Sequence, residues 1–314
     1  MLKILIIKPS SLGDIIHGLQ VVQSLREQLP DCHISWVARE MFAPIIQMCR
    51  TVDETFVFER HGGVLQFFKL IAQLRGSYFD VVMDFQGLIR SGLMAFAARS
   101  PRKIGRTDVR EGGGYFVGER APLPPAGKEA HAVEILLAFL PLLGLRAEVR
   151  GAPAFVDAPI RHFDSELLTR RPIVMFPDSR RPEKEWWGFG ELTERLIAHG
   201  HDGPIIWAGS SRREPPAACQ VPNFVNLIGK TGLPELVTLI RHAQLVIGND
   251  SGAMHIAAAL EIPVLAVFGP TPANRYGPYP PSRPSNHVIQ ATDGDLRQLA
   301  VATVWHHLCQ IIGK

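Results

Sequence analysis

The sequence predicts an α/β protein of two halves, each a parallel, doubly wound sheet. Three observations carry that expectation. Short, almost wholly apolar runs recur along the chain, as strands covered on both faces require. Segments of helical periodicity separate them at the spacing of β–α–β units. The alternation breaks once in mid-chain and then restarts, so 314 residues divide into two domains of ordinary size.

The first half opens on a strand over residues 1–8. A helix over 14–29 follows, with Ile15, Ile16, Leu19, Val22 and Leu25 at helical spacing and Pro30 as its stop. Strands are expected over 33–37, 54–58 and 79–84, and helices over 41–48, 64–74, 88–98 and 131–143. The pattern is lost over 144–170, where Pro153 and Pro159 interrupt it. The first domain is therefore 1–152 and the linker 153–170. Strands over 172–176, 204–208, 243–247 and 263–270, with helices over 189–199, 234–242 and 256–260, build a second domain over 171–290. An amphipathic helix over 295–312 lies in a terminal segment, 291–314.

Two stretches read as loops. Residues 99–128 carry Arg99, Arg102, Lys103, Arg106, Arg110, Arg120 and Lys128 against Asp108, Glu111 and Glu119, around a Gly112-Gly113-Gly114 run that predicts mobility. Residues 269–284 are rich in proline, with Tyr276 and Tyr279, and predict a stiff wall instead of a strand.

Composition excludes several classes. Hydrophobic residues at 46% and charged residues at 20% describe a globular chain and not a disordered one. A net charge of +3 is too small to argue for nucleic acid. Cys32, Cys49, Cys219 and Cys309 form no CxxC pair, and the histidines have no metal-ligand spacing, so no metal is expected. The apolar N-terminus is too short to span a membrane and lacks a signal peptide's cleavage site, which predicts a cytoplasmic protein.

Four segments carry chemistry. The run Lys8-Pro9-Ser10-Ser11-Leu12-Gly13-Asp14-Ile15-Ile16-His17 links the first strand to the first helix, and it matches neither a dinucleotide fingerprint nor a P-loop. Its Asp14 suits a helix cap and equally a general base at a cleft. Beyond strand 172–176, Lys184 is placed to meet a diphosphate, with Ser179 and Arg180 adding donors; a solvated charged loop is the competing reading. Glu214, beyond strand 204–208, suits ribose hydroxyls or the first turn of a helix. The run Gly248-Asn249-Asp250-Ser251-Gly252-Ala253-Met254-His255 places a helix N-terminus at a strand end, an anion site in which Ser251 and Gly252 offer N–H groups. Asp250 would repel a diphosphate, so a sugar hydroxyl or its own helix is its expected partner. His255 is expected to support the site from behind and not to react.

Taken together, KPSSLGDIIH, the segment around Lys184, HAVE at 131–134, GNDSGAMHIAAAL and FGPT at 268–271 resemble the bacterial ADP-heptose:lipopolysaccharide heptosyltransferases, in the expected order over nearly the whole chain. The resemblance implies a GT-B fold of two Rossmann-like domains facing a cleft, with donor on the second and acceptor on the first. It implies inverting transfer without a metal, and no cofactor beyond the substrate ADP-heptose. By the same resemblance Asp14 is the base, Lys184 holds the diphosphate, Glu214 the ribose, and Asp250, Ser251 and Gly252 form the donor turn. Two departures stand out: Ser179-Arg180 replaces a threonine pair common in that family, and Cys309 is the only cysteine in the C-terminal segment.

An inner-core acceptor is anionic, so Lys8, Ser11, Gly13, Arg60, Arg106 and Arg120 are its candidate contacts, and the same charge would favour weak attachment to an anionic inner-membrane surface. Other readings are a transferase with a protein acceptor or another donor, a nucleotide-sugar epimerase, and a non-catalytic nucleotide-binding module.

Overall fold

The computed structural model describes residues 1–109, 113–179, 181–210 and 214–313, and the chain divides into two compact units, Met1–Val156 and Asp157–Lys314. In the first, β1 (Lys3–Ile7), α1 (Leu12–Gln28), β2 (His33–Arg39), α2 (Ala43–Gln47), β3 (Glu54–Phe58), α3 (Gly63–Gly76), β4 (Val81–Asp84) and α4 (Ile89–Ala97) alternate as expected. Then come β5 (Arg102–Arg106), β6 (Glu119–Ala121) and α5 (Ala132–Leu137). Among the described residues they form a six-stranded sheet in the order β3-β2-β1-β4-β5-β6, every pairing parallel.

The sequence explains the centre of this sheet directly. β1 buries Ile4, Leu5, Ile6 and Ile7 completely, because helices cover both of its faces. Gly18 on α1 allows close approach to the sheet: a Cβ there would sit 2.9 Å from the Trp36 ring. Leu5, Ile7, Val37, Phe56, Leu70, Leu74, Val82 and Met94 make up the core on the side of α3 and α4.

The second unit repeats the plan. It contains α6 (Glu166–Thr169), β7 (Ile173–Phe176), α7 (Phe189–Ala198), β8 (Ile205–Trp207), β9 (Phe224–Asn226) and α8 (Leu233–Arg241). It continues with β10 (Leu245–Asn249), α9 (Gly252–Ala259), β11 (Val264–Phe268), α10 (Ala273–Tyr276), β12 (Asn286–Gln290) and α11 (Val301–Ile312). Among the described residues its sheet has six strands in the order β12-β11-β10-β7-β8-β9, again all parallel. Ile173, Met175, Trp186, Phe189, Ile247, Leu265 and Val267 are buried at its centre. In each sheet the strand order reverses between the first and fourth strands in chain order, β1 and β4 or β7 and β10. The crevice at the carboxyl ends of such a pair is where this architecture binds ligands.

Several expectations are corrected. Residues 99–128 are not one loop: they supply β5 and β6 near the sheet edge, where Lys103, Glu119 and Arg120 can leave the sheet for solvent. Gly113 and Gly114 lie in a 3-10 turn, Gly113–Phe116, while Arg110, Glu111 and Gly112 lie outside the described residues. The helix expected over 131–143 breaks after Leu137 and resumes as a 3-10 turn, Leu140–Leu143, because Pro141 lacks the N–H a continuous helix needs. Residues 269–284 contain the short helix α10, and β12 follows them. The terminal helix begins at Val301; Leu296–Gln298 forms a separate 3-10 turn capped by Asp295.

Residues placed in the linker are held at both ends. Ala154 and Val156 bond the backbone of Arg50 and Met48 in the first unit. In the second, Asp157 pairs with Arg241 at 2.6 Å and the Ala158 N–H donates to Thr238 at 2.8 Å. Glu235 accepts from the Arg161 N–H and meets His162 Nδ1, both at 2.8 Å.

Candidate active site

The first unit's switch point gathers Lys8 and Asp14 with Asp84 and Arg106. Ser11 is the N-cap of α1, and Asp14, three residues on, reaches back to it. Asp14 Oδ2 accepts from the Ser11 N–H at 3.1 Å and from Ser11 Oγ at 2.7 Å. Its other oxygen faces Lys8 Nζ at 3.6 Å. The Lys8 side chain is 3% exposed and that of Asp14 44%, so the lysine lies beneath a carboxylate that solvent can reach. Burial by itself would raise the Asp14 pKa, but the Lys8 ammonium, the Ser11 donors and His17 outweigh it and hold the carboxyl well below the usual carboxylate range. Burial pushes the Lys8 ammonium down, against the pull of Asp14. Capping and a solvent-facing ionised carboxylate therefore coexist in Asp14.

Asp84, at the end of β4, is used internally. Its carboxylate accepts from the N–H groups of Gln86 and Gly87 at 2.9 and 3.1 Å and from Ser91 Oγ at 2.9 Å, which ties the β4 end to α4. Burial pushes its pKa up despite those donors. His131, the N-cap of α5, accepts the Val133 N–H on Nδ1 at 3.1 Å and stacks edge-on against His17, with ring centroids 5.6 Å apart. The sequence assigns no role to Asp84 or to His17, although His17 closes the Lys8–His17 run. A lone aspartate closing an apolar strand was the available signal.

Of the expected acceptor contacts, Lys8 is turned inward on Asp14 and not toward the surface. Arg106 is held bidentately by Asp108 at 2.8 and 2.6 Å and donates to the Phe85 carbonyl. Arg120 donates to the Gly114 carbonyl at 3.2 Å, Ser11 is occupied with Asp14, and Gly13 lies in the first turn of α1. Arg60 is exposed just after β3, its N–H bonded to Glu40 at 3.0 Å.

The second unit's switch point is built on Asn249, the last residue of β10 and fully buried. Its side chain accepts from the Trp186 N–H at 2.9 Å and donates to the Pro177 carbonyl at 3.1 Å, fastening the turn after β7 to the turn after β10. That places Lys184 beside Asp250: Nζ to Oδ2 is 2.6 Å, with side chains 16% and 9% exposed. The expected repulsion by Asp250 is thus cancelled by Lys184 itself, and the lysine is not a free charge. Ser179 donates its N–H to Glu185 at 2.9 Å. Ser251 caps α9 with its Oγ buried and without a hydrogen bond, Gly252 is the first helical residue, and His255 is buried one turn on. Glu214 is exposed, and Arg180 lies outside the described residues. Asp178 and Ser210 link the ends of β7 and β8, with the Ser210 N–H on Asp178 at 2.9 Å.

Among the described residues no three His, Cys, Asp or Glu side chains gather as metal ligands, and no helix is long and apolar enough to cross a membrane. What the two units offer is a charged residue set at the switch point of each sheet, one carrying an ionised carboxylate and the other a helix N-terminus beside a lysine.

Two Rossmann-like sheets furnished in this way are the architecture of the GT-B glycosyltransferases. The solved structure of E. coli heptosyltransferase WaaC with ADP matches 99% of this chain and 100% of its own with a TM-score of 0.77 at 22% identity. The sequence pattern of glycosyltransferase family 9 (heptosyltransferase) matches residues 67–300, and the chain belongs to that family. A Haemophilus influenzae relative, lipopolysaccharide core heptosyltransferase OpsX, is 27% identical over 288 residues, 87% of this chain and 81% of its own. An E. coli lipopolysaccharide heptosyltransferase 3 is 26% identical over 305 residues, covering 91% and 88%. The protein is a glycosyltransferase.

Proposed function

We propose that this chain moves a heptose from ADP-heptose to the inner core of lipopolysaccharide, onto a 3-deoxy-manno-octulosonic acid unit or the first heptose, by one inverting displacement that needs no metal. The observation that carries the mechanism is Asp14: an ionised, solvent-reachable carboxylate at the carboxyl end of a central strand. The names of the relatives support the donor and acceptor classes.

In this reading the acceptor hydroxyl gives its proton to Asp14 as its oxygen bonds to the anomeric carbon. The bond from that carbon to the diphosphate breaks, and ADP leaves with the electron pair. One displacement inverts the anomeric centre. Because Lys8 keeps Asp14 weakly basic, the proton moves late, as the new bond forms. Lys184 and the N–H groups of Ser251 and Gly252 stabilise the charge growing on ADP, while Asp250, released by the lysine, accepts a sugar hydroxyl. Ser179 and Arg180 add donors, Glu214 holds the ribose, and buried His255 supports α9. Arg60 and Arg120 receive acceptor anions; Lys8 and Arg106 act from within, through Asp14 and Asp108. The protein works on the cytoplasmic side, weakly attached to the inner-membrane surface.

The test is ADP release from ADP-heptose, with and without a deacylated 3-deoxy-manno-octulosonic acid–lipid A acceptor, for wild type and Asp14→Asn. Asparagine can still accept from Ser11, so the cap survives while the base is lost. Acceptor-dependent release that falls about 10²–10⁴-fold in the variant is expected. A variant at full rate removes Asp14 from the chemistry, and a wild type that binds donor but releases no ADP removes this acceptor.

A further inference from the structure

The first unit leaves an unusual amount of apolar surface uncovered on neighbouring elements. α3 exposes Val64, Leu65 and Phe68, the last two by 78% and 61%. α4 exposes Ile89, Leu93 and Phe96 at i, i+4 and i+7, a single face of the helix. The two helices pack side by side, and the Gly113–Phe116 turn packs on α4. That turn presents Tyr115, 91% exposed, while Phe116 meets Phe96 edge-on at 6.2 Å. α3 already buries Leu70 and Leu74 against the sheet, so its outward apolar row is additional to what the core needs.

The charges around these residues are one-sided. α3 carries Lys69 and Arg75, α4 carries Arg90, and neither helix has an acidic residue. Lys103 lies 5.5 Å over the Phe96 ring and donates to the Phe96 carbonyl at 2.7 Å, Arg90 lies over Phe58, and Arg60 and His61 precede α3. The acids closest in sequence to either helix are Glu59 and Asp80, each four residues from an end of α3. Aromatic and aliphatic side chains fringed by cations, without acids, match an environment that is apolar inside and anionic at its edge.

We propose that this α3–α4 face seats in the headgroup region of an anionic phospholipid bilayer. Leu65, Phe68, Phe96 and Tyr115 enter the acyl boundary, and Lys69 and Arg90 meet lipid phosphates. The proposal rests on the membrane attachment suggested above and moves its anchor from Lys8, Arg106 and Arg120 to the α3–α4 face. It is independent of which acceptor takes the sugar.

The experiment is flotation of the full chain with vesicles of phosphatidylcholine alone or with phosphatidylglycerol, without acceptor or donor. Wild type, Leu65→Ser/Phe68→Ser/Phe96→Ser and Lys69→Gln/Arg90→Gln are compared, each checked for folding by circular dichroism. Expected are binding that requires phosphatidylglycerol, a loss of at least tenfold in the serine variant, and about a fivefold loss per cation removed. Phe68→Trp should shift its emission to the blue on vesicles. Wild-type flotation unaffected by the serine changes overturns the face while leaving attachment standing. No flotation of the wild type overturns both. A wild-type dimer that the serine changes dissociate assigns the face to a second copy and overturns the bilayer.

Discussion

Replacing Lys8 by methionine tests whether the buried lysine sets the acid strength of Asp14. The pair is 3.6 Å apart, and an attraction at that distance is worth about 4 kcal/mol near a protein surface and about 1 kcal/mol in water. Asp14 is 44% exposed, so solvent screening brings the working figure to about 1.5–3 kcal/mol, or about 1–2 units of pKa. The sign follows from the direction of the shift. A folded-state pKa below the unfolded one stabilises the protein above the unfolded pKa, and that contribution fades as pH falls through the folded value. In Lys8→Met the acid limb of kcat/KM should therefore rise by about 1–2 pH units toward the ordinary carboxylate range, and acid unfolding should begin at higher pH. At neutral pH the fold should hold within about 1 kcal/mol, because the variant also removes the burial cost of the ammonium, and Asp14 keeps Ser11 and water. The assay is the initial rate of ADP release from about pH 2 to 8, paired with thermal unfolding over the same range. An acid limb that coincides with that of the wild type would refute the argument, since the titrating group would then be one that Lys8 does not touch.

Other substitutions probe the second unit. Asn249→Ala should cost about 2–4 kcal/mol in urea unfolding, because the Trp186 N–H and the Pro177 carbonyl lose their buried partner; a loss under about 0.5 kcal/mol would mean that water replaces the side chain. Gly209→Ala should destabilise by about 1–3 kcal/mol, since its φ is +143° and a Cβ would lie 2.1 Å from Asp178 Oδ1; an unchanged melting temperature would contradict that geometry. Lys184→Met should weaken ADP binding about tenfold or more by calorimetry, while Asp250→Asn, which frees the lysine, should leave it equal or tighter. Weaker ADP binding in Asp250→Asn would show that the carboxylate positions the ammonium instead of competing for it.

The amino-acid sequence alone determined what short-range patterns encode. The apolar run of β1, the periodicity of α1 and the Gly13-Asp14 turn are local, and so were the strand–turn–helix around Asp250 and the two-domain plan. β5, β6, β9 and β12 were not legible: β6 and β9 are only three residues long, and all four lie at or beside a sheet edge, so their strand character comes from pairing with a neighbour and not from their own composition. The charged sites divide in the same way. Asp14 was visible because its cap lies three residues away. That Lys8 turns beneath it depends on the packing around β1. Lys184 and Asp250 are 66 residues apart in the chain, and Trp186 and Asn249 are 63 apart. Only the parallel pairing of β7 with β10 brings their loops to one crevice, where an aspartate expected to repel a phosphate instead holds the lysine.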